Sequence, residues 1–474
     1  MQTVSTHRRR THNSPSTVRV KVRLSAVIRG YNKAQFVWLV KLSAEGFRVD
    51  TTGVLGHLKP EVLVTLRHEL SRHLAACIGA VVLVASCDRS PGQPAQVRPG
   101  IDLLLTDSAH LVADRRVGLL TNQTGATMAG RGDVEALLEA GVQLVVIFSP
   151  EHGFRGNLDQ ANVGHATDSA TGLPIYSLYG EHLEPTPDML GQIDVLLCDL
   201  QDIGVRTYTY ISAILHSMHA AAGVGLEVLV LDRPNPIGGE LVQGPVLDNA
   251  FASYVGMLPV PLRHGMTMGE LALLGNEVLG IGADLTIVPV DGWRRDIWFD
   301  GTGLPWIKPS PNMPSLESAT HYPGTVVFEA TNLSVGRGTP IAFQVLGAPW
   351  LRPSGVAEVI GEQPGVAISD TIITPRDAPD GKYSGVTIPA LRFRVADRVT
   401  YDPTRLMVGL LEALRQVHPD SFAITGVPGF DRLSGSDRLR LALETGQPAD
   451  EIIASWHEGL TEFRSVRQKY LLYR

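Results

Sequence analysis

Short apolar blocks alternate with amphipathic stretches between residues 100 and 340, as is typical of an α/β fold. The apolar blocks are rich in valine, leucine and isoleucine, and they occupy residues 116–120, 145–148, 193–197 and 227–231. Helical spacing is found at residues 133–140 and 208–222. Because strands that are apolar on both faces must be covered by helices on both sides, the pattern predicts a doubly wound parallel sheet.

Three of these apolar blocks end in loops that carry acidic residues. Glu151 follows the second block, Asp199 and Asp202 follow the third, and Asp232 follows the fourth. The loops that follow parallel strands share one edge of the sheet, which is where ligands bind in open α/β sheets. We therefore expect these carboxylates to converge on one cleft.

The sequence Val145–Gly156, VVIFSPEHGFRG, concentrates reactive side chains at one of these strand ends. Glu151, His152 and Arg155 supply an acid, a titratable ring and a fixed cation within five residues. Such a group on a loop is typical of a functional site. The alternative is a strand end that carries only a surface ion pair.

Beyond about residue 320 the pattern changes to mixed strands and helices. Two strands and two helices are predicted there, at residues 342–346, 390–395, 404–418 and 449–470. We therefore expect an α/β domain over residues 100–320 that carries the catalytic groups. A smaller α+β domain over residues 321–474 is expected to close the cleft.

Two polar loops of this region are further candidates for the cleft. The proline-rich segment at residues 308–314 predicts a rigid loop. Residues 328–339 gather Glu329, Asn332 and Arg337 next to glycines, which suits contact with a polar ligand. For this second loop the alternative is a capped connection between the domains.

The first 99 residues do not share the α/β pattern. Residues 1–66 are basic near the start and show no lasting periodicity, so they are either a disordered arm or sequence upstream of the natural start, and we favour the second. Residues 67–99 resemble a signal and tether. Within them, two arginines precede an apolar stretch that is too short to span a bilayer and that ends in Val84-Ala85-Ser86-Cys87.

That ending resembles a bacterial lipobox, in which a cysteine is acylated and becomes the mature N-terminus. A segment rich in proline, glycine and glutamine follows at residues 88–99, as expected of a tether. We therefore expect a periplasmic protein that is attached to the membrane only through a lipid on Cys87. The alternative is a short buried element that ends in a free thiol.

The composition of the chain and the absence of known motifs exclude several classes of function. With 19% charged residues, 44% apolar residues and a net charge of −7, the chain resembles an ordinary globular protein, and nucleic acid is not expected as a partner. The sequence contains no GxGxxG, P-loop, GxSxG or HExxH motif, so we expect no cofactor and no metal site. Cys198, inside an apolar run, is expected to be a small buried side chain.

A mechanism based on carboxylates fits the polar loops best. Glycoside hydrolysis uses two acids beside one bond, and one of them must give a proton to the leaving oxygen. Glu151, with Phe154 near enough in sequence to desolvate it, is the first candidate. The second group could be Asp199, Asp202 or Glu329.

Four arginines in the same loops favour an anionic sugar as the ligand. A guanidinium group can bind a carboxylate through two parallel hydrogen bonds, although each arginine could equally pair with an acid of the loops. These arginines are Arg155, Arg206, Arg263 and Arg337. Several tyrosines either stack on a pyranose ring or fill the interface between helix and sheet. They are Tyr176, Tyr179, Tyr208 and Tyr210.

Seven motifs, taken in order, resemble the exo-acting β-N-acetylmuramidases of the NamZ type. They are SPEHGFRG, DLQDIGVRTYTY, LDRPNP, RHGMTMGE, PSPNMPS, EATNLSVGRGT and KYLLY, within about residues 100–474. The resemblance implies a Rossmann-like N-terminal domain, a smaller C-terminal domain and an active-site cleft between them. It also implies a peptidoglycan-derived saccharide as the substrate, from whose non-reducing end terminal N-acetylmuramic acid is released.

Matching residues by motif gives the candidate site. Glu151 is implied as the catalytic acid, with His152 and Asp202 as further catalytic candidates. The implied substrate-binding residues are Arg155, Asp199, Arg206, Tyr208, Asp232, Asn235, Arg263, Glu329, Asn332 and Arg337. Asn122, in the polar turn at residues 121–125, is a further candidate for substrate binding. The resemblance leaves open the second catalytic group and the stereochemistry. With assistance from the substrate's acetamido group, Asp202 would orient that amide instead of attacking.

A lipid-anchored protein that captures muropeptide sugars without hydrolysing them is the competing class. It would use the same arginines. A binder of an anionic sugar, however, gains nothing from carboxylates placed beside its ligand, so the pattern of acids favours the enzyme.

Overall fold

The structure is a computed structural model, and it describes residues 97–159 and 163–474 in full and the backbone of residues 18–26, 34–43 and 46–50. Most of the predicted signal and tether, including Cys87, lies outside the described residues. The chain divides into two compact units, Met1–Gln93 and Pro94–Arg474.

The described residues of the first unit form a small antiparallel sheet. Its strands are β1 Val18–Ala26, β2 Ala34–Ser43 and β3 Gly46–Asp50, in the order β1-β2-β3. The sequence does contain a signal for β1, because Val18, Val20 and Val22 alternate with basic residues, although this alternation is too short to form a lasting periodicity. The interpretation of residues 1–66 as sequence upstream of the natural start stays a prediction.

The second unit is built around a seven-stranded sheet. With strands numbered in chain order, its members are β4 Arg116–Thr121, β5 Gln143–Ser149, β6 Ala166–Thr167, β7 Pro174–Ser177, β8 Val195–Asp199, β9 Glu227–Leu231 and β12 Leu285–Val288. They lie in the order β12-β9-β8-β4-β5-β7-β6. Every neighbouring pair is parallel except β6 and β7. The predicted doubly wound α/β fold is confirmed.

The direction of winding reverses beside β4, at the middle of the sheet. From β4 the chain adds β5 and β7 on one side, and it then returns to add β8, β9 and β12 on the other. Loops diverge at such a switch point and leave a crevice at the carboxyl ends of the strands. The loops after β4 and β8 therefore border this crevice.

Helices cover both faces of the sheet. Those between residues 97 and 315 are α1 Gly100–Thr106, α2 Asp133–Glu139, α3 Pro187–Leu190, α4 Tyr210–Val224 and α5 Met268–Val278. Side chains of β4 alternate between two buried clusters: Val117 and Leu119 pack with α1 and α2, whereas Leu120 packs with α4 and α5. Cys198 is buried in the latter cluster, as predicted. A short hairpin, β10 Gln243–Val246 with β11 Pro261–Arg263, lies outside the sheet.

The C-terminal part of the unit is smaller and has a sheet of its own. Strands β13 Val345–Gly347, β14 Val366–Ile373 and β15 Ile388–Val395 pair antiparallel in the order β13-β15-β14. Its helices are α6 Leu316–Thr325, α7 Pro353–Ile360, α8 Pro403–Val417, α9 Val427–Ser434, α10 Arg438–Glu444, α11 Ala449–Ala454 and α12 His457–Arg467. The expected smaller α+β region is confirmed.

The single helix predicted over residues 449–470 is wrong, because the chain breaks it after α11. The hydroxyl of Ser455 donates to the carbonyl of Ile452 over 2.6 Å, and such a local bond competes with the helical pattern. Trp456 then packs against the core before α12 begins.

None of the helices among the described residues has both the length and the apolar character that crossing a membrane requires.

The contact between α6 and α8 gives a test of the packing. A Cβ atom added at Gly324 would lie 2.1 Å from the carbonyl oxygen of Pro403, which is backbone and cannot move aside. Gly324→Ala is therefore expected to lower the free energy of unfolding by about 1–3 kcal/mol, as overpacked cores do. In the control Gly223→Ala, in α4, the added Cβ atom would have no other atom within 4 Å. The free energy of unfolding should therefore rise by up to about 1 kcal/mol, since alanine favours the helix more than glycine does. Urea titration of both variants measures this; equal effects would contradict the packing described.

Candidate active site

The loop after β5 is a tight coil that presents Glu151. His152 and Gly153 have positive φ values, 72° and 73°, so the backbone turns sharply directly after the acid. Nδ1 of His152 lies 2.8 Å from the carbonyl oxygen of Leu158, whose amide donates back to the carbonyl of His152 over 3.2 Å. The imidazole predicted as a catalytic group therefore closes the loop, while Glu151 is left half-buried at its start.

The loop after β4 packs directly against this coil. Gly156 has a φ of 63°, and a Cβ atom there would lie 1.9 Å from the side chain of Gln123, so the close approach requires glycine. Gln123 in turn donates to the carbonyl of Lys308 over 2.7 Å. The loops after β4 and β5 are thus joined to the proline-rich loop at residues 308–314, where the sequence predicted a rigid border of the cleft.

Two hydroxyl groups point at Glu151. Thr209, the residue before α4, donates from Oγ1 to Oε2 of Glu151 over 2.5 Å. The hydroxyl of Tyr179 lies near the same carboxylate. Burial and then the charge of Glu151 raise the pKa of Tyr179 to about 12. Thr209 therefore holds this carboxylate, and the hydroxyl of Tyr179, from a separate segment of the chain, lies beside it.

Three further tyrosines surround the acid. Tyr208 and Tyr210 are buried, and their ring centroids lie 4.9 Å apart with the planes inclined at 74°. Tyr254 packs on Tyr179 with 5.8 Å between the centroids. Burial raises the pKa of the hydroxyls of Tyr208, Tyr210 and Tyr254, and the negative charge of Glu151 adds to this effect. These hydroxyls therefore stay protonated.

Asp202, in the loop after β8, lies beside Tyr208 and Tyr210, as Glu151 does. Its other surroundings differ from those of Glu151. It is buried, and its Oδ2 accepts the amide of Gly204 over 2.6 Å. Burial raises the pKa of Asp202 to about 7, although backbone amides of its own loop oppose the shift. Its Oδ1 has no hydrogen-bond partner among the described residues. Asp202 is therefore an acid that can carry a proton at neutral pH.

Two uncharged groups lie close to these acids. Nε2 of His264 is 3.9 Å from Oδ2 of Asp202, and burial, reinforced by nearby arginines, lowers the pKa of His264 to about 3. Asn122, just after β4, uses Oδ1 to accept from the amide and hydroxyl of Thr124 over 2.9 and 2.6 Å. Its buried Nδ2 makes no hydrogen bond within the part of the chain that the structure describes.

A second charged group comes from the C-terminal region. Glu329 and Arg337 form an ion pair, and Nη1 of Arg337 lies 3.5 Å from Oδ2 of Asp159 in the loop after β5. Asn312, in the proline-rich loop, donates to the same oxygen over 2.7 Å. Asp159 therefore connects the loop of Glu151 with the predicted C-terminal residues.

Tyr322 joins the two groups of residues. Its ring centroid lies 6.0 Å from that of Tyr208, beside the two acids. Burial and then the charge of Glu329 raise the pKa of Tyr322, whereas the charge of Arg337 opposes this. Predicted residues from both parts of the chain therefore surround one aromatic cluster.

Two of the predicted acids belong to the scaffold instead. Asp199 is fully buried and paired with Arg233, whose Nη2 donates to it over 2.8 Å. Asp232 accepts the hydroxyls of Thr267 and Tyr473 over 2.7 and 2.6 Å. These two acids therefore hold the loops and the C-terminus in place, and their predicted contact with the ligand stays a prediction.

Hydrogen bonds within the fold also occupy four other residues predicted to bind substrate. Arg206 donates to three backbone carbonyls, and Arg263 donates to a glutamine side chain and a backbone carbonyl. Burial lowers their pKa values to about 9 and about 10. Asn235 and Asn332 each use both side-chain polar atoms on backbone groups. These four side chains therefore hold other parts of the fold, and their predicted roles in substrate binding stay predictions.

Arg155 lies at the outside of its loop. It is exposed, pairs with Asp168 over 2.6 Å, and stacks on Phe154 with 5.0 Å to the ring centroid. Phe154 packs against the apolar cluster of α1 and α2. The surface ion pair that the sequence allowed as an alternative is therefore what Arg155 forms, and the aromatic surroundings of Glu151 come from tyrosines.

Sequence reasoning missed several residues of the site. They are Asp159, Thr209, Tyr254, Asn312 and Tyr322. Thr209 stands at a helix start, where threonine normally caps the helix, but here its side chain caps no amide. Thr209 and Asn312 lie inside motifs that the sequence analysis identified, and this could have marked them as candidates. A motif does not show, however, which residues they bind in the fold.

The arrangement is suited to acid–base chemistry on a polar ligand. It holds two carboxyl groups in different surroundings, a set of protonated hydroxyls, and an ion pair at one side. Within the residues that the structure describes, no cluster of three or more metal-ligating side chains is found.

Comparisons with known proteins match both halves of the second unit. A family model described as exo-β-N-acetylmuramidase NamZ, N-terminal, matches residues 117–317, and the corresponding C-terminal model matches residues 320–473. The chain is 38% identical over 402 residues to the peptidoglycan β-N-acetylmuramidase NamZ of Bacillus subtilis strain 168. That match covers 83% of this chain and 96% of the relative.

Two solved structures are also similar to the chain. Both are DUF1343 family proteins from Bacteroides fragilis, and each is 33% identical to this sequence. The match to the first has a TM-score of 0.75 and covers 81% of this chain and 100% of the solved chain. The match to the second has a TM-score of 0.64 and covers 80% of this chain and 99% of the solved chain. The α/β architecture with a smaller C-terminal region is therefore shared with experimental structures.

The raised pKa of Asp202 predicts a pH-dependent effect on stability. Between about pH 4 and pH 7 the folded protein holds a proton on Asp202 that the unfolded chain releases, so this residue makes folding less favourable as pH rises. Asp202→Asn removes that loss. We expect the free energy of unfolding of the variant, relative to the parent, to be higher at pH 8 than at pH 5 by about 2–3 kcal/mol. Urea titrations at both pH values measure this, and a difference that does not change with pH would contradict it.

Proposed function

The chain belongs to the NamZ family of exo-β-N-acetylmuramidases, and we propose that Glu151 and Asp202 are its catalytic carboxyl groups. It is a glycoside hydrolase that releases terminal β-linked N-acetylmuramic acid from the non-reducing ends of peptidoglycan fragments, as in cell-wall turnover. The observation that supports the pair is that both acids act electrostatically on the same buried hydroxyls, those of Tyr208 and Tyr210.

Hydrolysis of a glycoside needs two functions that such a pair can supply. The bond between C1 and the leaving oxygen breaks, the leaving oxygen takes up a proton, and the oxygen of water bonds to C1 and loses a proton. One carboxyl group must be protonated and one must be ionised at the same pH. Two acids in unlike surroundings meet this requirement.

Arg337 is the arginine that we propose for the carboxylate of N-acetylmuramic acid. Arg206 and Arg263 are buried against backbone carbonyls, and Arg155 lies at the surface with Asp168. Arg337 is only partly covered and lies beside the aromatic cluster of the site. Nε of Arg337 pairs with Glu329 and Nη1 lies 3.5 Å from Oδ2 of Asp159, so Nη2 is the nitrogen that is left for a second anion within the described residues.

Replacing Glu151 tests the proposed activity. We expect the parent chain to release a chromogenic leaving group from a β-linked N-acetylmuramic acid glycoside but not from the matching N-acetylglucosamine glycoside. Glu151→Gln keeps the size of the side chain and removes its charge and proton, so kcat/KM should fall at least about 10²-fold. Initial rates measured by absorbance give both results.

The exposed acid Glu362 provides the matched control. Glu362→Gln should leave the rate unchanged, since this side chain lies on the surface after α7. An unchanged rate for Glu151→Gln would exclude Glu151 from catalysis. Tight binding of free N-acetylmuramic acid by the parent, without release from either glycoside, would favour the capture protein instead.

We propose in addition that the protein is a periplasmic lipoprotein anchored through Cys87. The support is the sequence alone, in which an apolar stretch ends in Val84-Ala85-Ser86-Cys87 and a segment rich in proline, glycine and glutamine follows. Cells that express the full chain and are fed a labelled fatty acid should incorporate the label, and Cys87→Ser should abolish it, while Cys77→Ser should not. Equal labelling of parent and Cys87→Ser would contradict the anchor.

A further inference from the structure

A hairpin loop of the C-terminal sheet packs on the polar loop at residues 328–339. The hairpin loop comprises residues 374–387 and joins β14 to β15. Nζ of Lys382 donates to the backbone carbonyl of Glu329 over 2.7 Å. The hydroxyl of Tyr383 donates to a second carbonyl of the same polar loop, also over 2.7 Å. The hairpin loop therefore brings a lysine to the segment that carries the proposed ligand-binding arginine.

Two residues of this hairpin loop adopt backbone conformations that are uncommon outside glycine. They are Asp377 and Tyr383, with φ values of 49° and 53°. A bulky residue such as tyrosine adopts a positive φ only where its surroundings fix it, and such strain is concentrated at functional sites. Here the ring of Tyr383 packs against the core, and its hydroxyl is bonded to the polar loop. The fold itself therefore holds the neighbouring Lys382 in this place.

The charges around Lys382 are unevenly paired. Arg337 forms ion pairs with two acids, Glu329 and Asp159, whereas Lys382 forms none with the acids of the described residues. The other acid nearby, Asp380, is exposed, and its carboxylate accepts the backbone amide of Lys382 over 3.1 Å. Lys382 is therefore the cation of this group whose charge no ion pair neutralises.

The ammonium group of Lys382 is also short of hydrogen-bond acceptors. An ammonium has three donors, and within the described residues one of them is used, on the carbonyl of Glu329. Burial and the charge of Arg337 lower the pKa of Lys382, although Asp380 and Glu329 oppose this. The side chain is only partly exposed, so water replaces the missing acceptors incompletely. An anion bound here would remove this cost.

The position of Lys382 is next to the aromatic cluster of the site. The charges of Glu329 and Arg337 act both on Lys382 and on the hydroxyl of Tyr322. The ring centroid of Tyr322 lies 6.0 Å from that of Tyr208. An anionic group held by Lys382 would thus lie at the side of the sugar that faces the C-terminal region.

We propose that Lys382 binds the lactyl carboxylate of the terminal N-acetylmuramic acid together with Nη2 of Arg337. The inference rests on the proposed function, since it concerns the same group of the same ligand. Two acids already match the charge of Arg337, so this arginine supplies direction and Lys382 supplies the positive charge. Lys382 is in this way a specificity-determining residue, because N-acetylglucosamine has no lactyl group.

The test removes the cation from the protein and the anion from the ligand, separately and together. The full chain and Lys382→Met are each assayed with the chromogenic β-N-acetylmuramic acid glycoside and with the same glycoside carrying a neutral lactyl amide. Lys382→Met keeps an unbranched side chain and removes the ammonium group, and Lys382→Arg keeps the charge. The control is Lys469→Met, at an exposed lysine that pairs with Glu277. Melting temperatures are recorded for all variants.

For Lys382→Met we expect KM of the carboxylate glycoside to rise about 10- to 100-fold, because a hydrogen bond between charged groups is lost. The value of kcat should change less than about threefold, since this contact does not alter while the glycosidic bond breaks. With the amide glycoside, parent and Lys382→Met should differ less than about threefold. Lys382→Arg should restore most of the affinity, and Lys469→Met should match the parent.

Two kinetic results would overturn the inference and leave the proposed function intact. An unchanged KM for the carboxylate glycoside would exclude Lys382 from binding it. An equal loss with both glycosides would show that Lys382 only holds the two loops together.

A parent that releases no sugar would overturn the proposed function, and calorimetric titration with free N-acetylmuramic acid then decides this inference separately. Binding that weakens at least about 10-fold in Lys382→Met, with no such loss for the lactyl amide, would support it. Binding that is equal in parent and variant, or absent in both, would overturn it.

Discussion

The buried ion pair between Asp199 and Arg233 is the interaction on which the site depends. Asp199 ends β8 and Arg233 follows β9, and Arg233 also donates to the carbonyl of Ala126 in the loop after β4 over 2.8 Å. One guanidinium group therefore ties together the ends of three adjacent strands. Removing one partner of such a pair costs about 3–5 kcal/mol, because the other charge stays buried, whereas the intact pair adds little to stability. We infer that it serves to fix where these loops lie.

Other buried arginines also fix the positions of loops. Arg206 reaches from the loop after β8 to the carbonyl of Leu433 in α9, and Arg467 reaches from α12 to carbonyls of residues 239–240 and 264–265. A guanidinium group has five donors in a fixed plane, so one side chain can satisfy several loop carbonyls that would otherwise be buried without partners. For this reason, an arginine in a polar loop of this chain is no guide to an anionic ligand.

The sequence was sufficient to predict four strands of the seven-stranded sheet, which are β4, β5, β8 and β9. Strand β9 was predicted at residues 227–231 and is observed there, because a block of valine and leucine bounded by polar residues has few alternatives. The acids at the strand ends were found for the same reason. What could not be predicted was which acids are already paired, since Asp199 meets a residue 34 positions away and Glu151 one that is 58 away. Local patterns carry no information on such partners.

The order of the strands explains why the two proposed acids differ. Asp202 follows β8, next to the switch point, where the loop after β4 covers it and the hydroxyl of Thr124 accepts the amide of Gln201 over 3.0 Å. Water is excluded there, and a carboxyl group keeps its proton. Glu151 follows β5, one strand farther toward the other edge, so it is half-exposed and lies within reach of donors at the start of α4. The unlike surroundings of the pair therefore follow from topology, since each acid takes its surroundings from the position of the strand that precedes it.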